Sequence, residues 1–219
     1  MSKPVLCYWD IRGLGQAIRL LHAYTDTDFE DKLLTCGPAP DFDRSCWFDQ
    51  KFSLGLDFPN LPYYIDGDIK LTQSNAILRH IARKHDMCGK DDKEKAMVDM
   101  MADQGMDLRN GWIGLCYNPD FDKLKDGYLT NLDHKLGQFS KFLTKKSWFA
   151  GGKTPTFVDF LMYELIDEHK ALAPNCLKKY QNLEEFQKRF EALPKIAAYM
   201  KSSAFMKAPI NNKMAKFGF

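Results

Sequence analysis

Apolar residues follow two different rhythms along this chain. Residues 4 to 8 (Pro-Val-Leu-Cys-Tyr) form a short run suited to a buried strand. After the punctuation of Gly13 and Gly15, the spacing of Ile18, Leu21 and Tyr24 becomes that of an amphipathic helix. Residues 29 to 35 predict a second strand, broken by Gly37-Pro38-Ala39-Pro40. A long connection then runs to Pro62, and structureless connections of that length are uncommon unless they carry function, so a ligand is expected there. Asp41 ahead of Phe42 to Phe52 predicts one short capped helix inside it, closed near Gly55. Leu61 to Ile65 and Asp68 to Thr72 flank Asp66-Gly67, the pattern of a tight hairpin. Gln73-Ser74-Asn75 then offers polar groups at the start of a helix whose apolar face is Ile77, Leu78, Ile81 and Ala82.

From about Asp91 strand signals cease and the 3.6-residue rhythm takes over. Residues 92 to 117 carry Met97, Met101, Leu108, Ile113 and Leu115; residues 123 to 143 carry Leu124, Leu129, Leu132, Leu136, Phe139 and Leu143. Thr156-Phe157-Val158-Asp159 has the spacing of a capping box, with Pro155 and Phe160 as its candidate staple. The order β-α-β followed by β-β-α is what a thioredoxin-like domain needs, although periodicity alone does not fix the topology. The expectation is an α+β chain of two domains, a mixed one over residues 1–88 and an all-helical one over residues 91–219, parted near Cys88 to Asp92.

Composition narrows the function classes. A chain of 219 residues, 45% apolar, has enough material for one large core or two modest ones. Its net charge is only +2 and it has no basic block, which argues against nucleic acid or an anionic membrane as partner. No apolar run approaches a bilayer span, and the opening residues lack the pattern of a signal peptide. Six scattered cysteines without C-x-x-C, and no histidine cluster, point to a reduced cytoplasmic protein without a metal site.

Four blocks carry a family resemblance: Tyr8-Trp9-Asp10-Ile11-Arg12-Gly13, Ala39 to Ser45, Leu54 to Tyr63, and Thr72-Gln73-Ser74-Asn75-Ala76-Ile77-Leu78-Arg79. The likeness continues through Cys116 to Phe121 and Trp148 to Gly151 to Ala198 to Ser203, so it covers nearly the whole chain. In these blocks the sequence resembles the mu-class cytosolic glutathione transferases. The resemblance implies a homodimeric detoxification enzyme that joins the thiolate of reduced glutathione, its co-substrate, to small hydrophobic electrophiles, without a prosthetic group. Rival readings are a non-catalytic ligand-binding or structural protein on the same fold, and a glutathione-dependent isomerase or peroxidase.

The resemblance also implies roles. A free thiol has a pKa of about 8.5, so the site must favour the anion; Tyr8 is similar to the tyrosine whose hydroxyl donates to the sulfur, with the start of the first helix aimed at the same place. Read alone, Tyr8 is a core or interface aromatic. Trp9 and Leu14 are implied glutathione contacts, while Arg44, Trp47 and Lys51 resemble the group facing the glycine carboxylate; alone they are a solvated face with one buried indole. Asn60-Leu61-Pro62 resembles the segment with a cis bond before Pro62 that pairs with the cysteinyl backbone, or it is an ordinary loop. Gln73 and Ser74 are implied partners of the γ-glutamyl carboxylate, Ser74 otherwise being a helix cap. Asp107 is implied to reach the γ-glutamyl amine across a dimer interface, or is merely solvated. Phe58 resembles a side chain that inserts between helices of the partner, or packs locally. Ile11, Leu14, Met106, Asn110 and Tyr117 fall at electrophile-pocket positions, with Tyr117 resembling a second catalytic tyrosine. Gly111 and Gly114 are expected to thin their helix and widen that pocket, close packing against another helix being the alternative. The tail from Pro209 to Phe219 matches the family poorly.

Overall fold

The structure, a computed structural model, describes residues 3–219. Strand β1 (Val5–Trp9) runs through helix α1 (Gln16–Thr25) into β2 (Glu30–Leu34), and the two strands pair in parallel, Tyr8 opposite Leu33. A helix is the usual means of returning the chain for a parallel pairing. After the short α2 (Ser45–Phe48), β3 (Tyr63–Asp66) and β4 (Ile69–Thr72) complete a four-stranded sheet of order β2-β1-β3-β4, with β3 antiparallel to both β1 and β4. This is the topology the strand and helix order anticipates.

Two local expectations need correction. Asp66 pairs with Ile69, so the hairpin loop is Gly67-Asp68, one residue later than the Asp66-Gly67 pattern indicates; Gly67 takes φ +61° at the first loop position, as a type II′ turn requires. The helix expected from Asp41 over residues 42–52 shrinks to four residues, because Phe42 has φ +47°, in the left-handed region. The polar group at its start is Asp43, which accepts from the Ser45 amide at 3.0 Å and the Ser45 hydroxyl at 2.7 Å and is thereby held below the usual carboxylate pKa.

Helix α3 (Ser74–Lys84) returns the chain to a helical half: α4 (Asp92–Cys116), α5 (Phe121–Leu143), α6 (Phe157–Leu172), α7 (Gln181–Glu191) and α8 (Pro194–Lys201). Asp91 starts α4 by accepting from the Glu94 amide at 2.9 Å. The capping box of α6 is present. Asp159 accepts from the Thr156 amide and, with its other oxygen, from the Phe149 amide, each at 2.8 Å; complete burial raises its carboxyl to about 6 despite these donors. Helix α6 is buried along almost its whole length and packs on α1, α4 and α7. The main core runs from Leu6 in β1 through Ile18, Ile77 and Leu78 to Phe160, Phe186 and Phe190, with smaller buried clusters around Tyr8 and around Trp112. Among the described residues no helix is long and apolar enough to cross a membrane.

After α8 the chain returns to the sheet. The Arg12 and Gly13 amides donate to the Pro209 and Ile210 carbonyls at 2.8 and 3.1 Å, and the Lys216 amide donates to the Cys116 carbonyl at the end of α4. Phe217 packs edge-on against Trp112 and stacks with Phe121. The tail therefore bridges the β1–α1 loop and α4.

Candidate active site

The β1–α1 loop, α4 and the tail enclose a cleft of about 400 Å³ lined by Tyr8, Trp9, Ile11, Leu14, Arg44, Met106, Asn110 and Tyr117. Every electrophile-pocket position read from the sequence is therefore in one place. Tyr8 enters from the end of β1 and is 6% exposed. Burial raises its hydroxyl above the ordinary tyrosine pKa, while the charge of Arg109 and the Leu14 backbone oppose the rise. At neutral pH it is a protonated donor. Tyr117 is pushed up to about 12 by burial, and its oxygen accepts from the Asn212 amide at 2.8 Å, leaving its own proton to donate.

The remaining sequence-derived positions surround the cleft unevenly. Arg44 lines it, Trp47 is buried with its ring 6.1 Å from that of Tyr63, and the Lys51 ammonium lies over the rings of Phe48 and Phe52. The Leu61–Pro62 bond is cis, and the Leu61 amide donates to the Asn60 side chain at 2.9 Å. A ligand backbone pairing with that amide has to take the place of Asn60. Gln73 has φ +71° and ψ +109°, a conformation unusual for a residue other than glycine and typical of positions that neighbouring structure holds for a purpose. Ser74, the first residue of α3, is buried, and the cap position is held by Gln73, whose side chain makes no capping hydrogen bond.

Asp107 and Phe58 lie away from the cleft of their own chain. Asp107 is exposed and lines a separate groove of about 200 Å³ between α4 and α5, together with Gly111, Tyr128 and Leu132. Phe58 is 80% exposed.

Two family models match the chain, the glutathione S-transferase N-terminal domain over residues 4–83 and the glutathione S-transferase C-terminal domain over residues 106–203. The chain is 59% identical to Glutathione S-transferase Mu 3 of Homo sapiens across 99% of its length and 96% of that protein. To Glutathione S-transferase Mu 1 of Bos taurus it is 55% identical, with 98% of each covered. The chain belongs to the mu class of the glutathione S-transferases. Among solved structures, the glutathione S-transferase Blo t 8 superposes with a TM-score of 0.89 at 32% identity, covering 98% of this chain and all of that one. The pi-class glutathione S-transferase of Onchocerca volvulus gives 0.86 at 29% identity, with the same coverage.

In this transferase four cleft residues escape the sequence reading: Arg109, Ile113, Asn212 and Met214. Arg109 is 3% exposed, and its Nη1 donates to both oxygens of Glu168 on α6, at 2.6 and 2.5 Å, while Nε has no partner. Spacing holds a signal for two of them, since 106, 109, 110, 113 and 117 recur on one helical face. A neighbouring cluster holds the β1–α1 loop to α6: Arg12 donates to both oxygens of Glu164, each at 2.9 Å, and to Asp167 at 2.6 Å. The expectation for the glycines is corrected. Neither Gly111 nor Gly114 lines the cleft; Gly111 faces the α4–α5 groove and a Cβ at Gly114 would meet nothing within 4 Å. Close packing instead explains Gly105, where a Cβ would come 2.8 Å from Leu161 Cδ2 on α6.

Proposed function

We propose that Tyr8 donates a hydrogen bond to the sulfur of bound glutathione and that the resulting thiolate attacks an electrophile held between Ile11, Met106 and Tyr117. By family the chain is a glutathione transferase, an enzyme that uses reduced glutathione as co-substrate and conjugates it to electrophiles. The observation that carries the residue assignment is the Tyr8 hydroxyl: buried, raised in pKa and so still protonated, at the wall of an apolar cleft. A donor to the anionic form lowers the thiol pKa, and the adjacent start of α1 favours negative charge. With an aryl halide, sulfur forms a bond to the ring carbon, negative charge builds on the ring, and the halide leaves with the electron pair of the broken carbon–halogen bond. The thiol proton passes to solvent. Tyr117 stabilises the charge built on the electrophile.

Arg44, Trp47 and Lys51 supply two cations and an indole donor for the glycine carboxylate, and the Leu61 amide pairs with the cysteinyl backbone once Asn60 turns aside. Gln73 and Ser74 take the γ-glutamyl carboxylate at the start of α3, where the cap residue Gln73 makes no side-chain cap bond of its own and the amides of the first turn face outward. The enzyme is a cytoplasmic homodimer: Phe58 of one subunit enters the α4–α5 groove of the other, and Asp107 on the rim of that groove reaches the partner's glutathione. The mixed part, residues 1–88, binds glutathione; the helical part, residues 91–219, carries most of the electrophile pocket. Replacing Tyr8 by Phe tests the central assignment. Conjugation of a chromogenic aryl halide should fall at least tenfold, the lower part of the range for losing a stabilising donor, with glutathione affinity less affected. An unchanged rate would remove Tyr8 from the mechanism.

A further inference from the structure

We infer that the electrophile site continues past Ile11 and Asn212 into a second chamber, so that this enzyme favours electrophiles bearing a long apolar tail; the inference rests on the reading of the cleft given above. The chamber is a cavity of about 500 Å³, and Ile11 and Asn212 line both it and the cleft, so the two spaces lie back to back across those residues. Each volume falls within the roughly 300–1,000 Å³ typical of small-molecule sites.

The chamber walls are built and held. Leu34 at the end of β2 and Ile11 are both nearly fully buried, and Pro209 and Phe219 add apolar surface from the tail. Hydrogen bonds tie the tail to both sides, from the Asn212 amide to Tyr117 and from the Lys213 ammonium to the Cys36 carbonyl at 2.9 Å, and the Asn211 amide closes the tail on itself at the Gly218 carbonyl. The exposed Asp10 and Lys213 stand at its edge with opposite charges, which gives neither an anion nor a cation a net advantage. An uncharged alkyl chain or second ring matches this lining. With the reacting carbon beside Tyr8 and Tyr117, the tail reaches over the edge that Ile11 and Asn212 share.

A homologous series of 2-alkenals tests this. Sulfur bonds to the β-carbon, the double-bond electrons move onto the carbonyl oxygen, and the α-carbon takes a proton from water, so no leaving group complicates the comparison. In the parent enzyme, kcat/KM should rise by twofold or more per added methylene from six to twelve carbons, a fully buried methylene being worth about fourfold. Thr35 lines the chamber but not the cleft. Thr35→Trp should flatten the series beyond about eight carbons while changing the rate with a small aryl halide less than twofold. Phe219→Ala, which removes one wall at an exposed position, should reduce the slope part-way. A flat series in the parent, a slope untouched by Thr35→Trp, or dodecanol inhibiting non-competetively against dodecenal would overturn the inference. The aryl halide reads the glutathione chemistry alone, so a parent that conjugates it but shows a flat series contradicts the chamber and leaves the activity standing.

Discussion

Tyr8 depends on side chains that are absent. A Cβ at Gly13 would lie 2.7 Å from the Tyr8 hydroxyl and one at Gly15 2.9 Å from its ring, and Gly13 also holds φ +42°. Gly13→Ala should therefore displace the hydroxyl; a misplacement on the order of 1 Å costs about a hundredfold in rate. Single-turnover rates measured alongside glutathione affinity will show turnover falling further than binding. Arg109 poses the opposite problem, a buried cation held by one carboxylate. Arg109→Leu leaves the buried Glu168 without its cation and donor, which should cost about 3–5 kcal/mol, while Arg109→Leu with Glu168→Leu should recover most of it. Denaturant midpoints of the two variants decide the matter, and equal midpoints would contradict this account. Tyr8 and Tyr117 were legible because they sit in recognisable blocks. Arg109 was not, because its meaning comes from Glu168, 59 residues away and on another helix.

At the scale of elements, the features readable from sequence are those whose hydrogen bonds close locally. The β3–β4 hairpin and the capping box of α6 both follow from a few neighbouring residues. Helix α2 is shorter than Asp41 ahead of Phe42 to Phe52 predicts, because Phe42 leaves the helical region and Phe48 and Phe52 remain exposed, so no burial rewards a longer helix. Asp159 has the greatest local consequence. Removing its carboxylate deletes the cap and leaves the Phe149 amide unpaired in the core. Asp159→Ala should destabilise by about 2–4 kcal/mol, a cap and an orphaned buried amide together. Equilibrium unfolding checks this, and a loss below about 0.5 kcal/mol would refute it.

At the scale of the whole molecule, buried titratable groups tie stability to pH. Burial lowers His22 to about 3, its ring stacked on Phe29 and Tyr64 without a polar partner, and lowers His169 to about 4, where Nδ1 donates to the Leu165 carbonyl and Nε2 accepts from Tyr128. The unfolded chain takes up these protons near 6.5 and the native chain refuses them, so their effect leaves stability intact above about 6.5 and erodes it as pH falls, to about 4 for His169 and about 3 for His22. Asp159 opposes this slope, since the native state holds its proton up to about 6. His22→Leu should give a shallower acid loss of stability than the parent, by at most about 1.4 kcal/mol per pH unit; identical slopes would contradict the assignment. For assembly, Phe58→Ala should shift a sedimenting dimer toward monomer, and an unchanged dimer would exclude that side chain as its anchor. Neither the tail's return to the β1–α1 loop nor the chamber behind it was legible, because both rest on contacts spanning nearly the entire chain. The claim beneath all of this is that a buried phenol keeps a bound sulfur ionised. The direct measurement is the ultraviolet thiolate absorbance of enzyme-bound glutathione as a function of pH: an apparent pKa at least one unit below the ordinary thiol value, moving back toward it in Tyr8→Phe, is the result expected, and bound glutathione that ionises no more readily than free glutathione is the result that contradicts it.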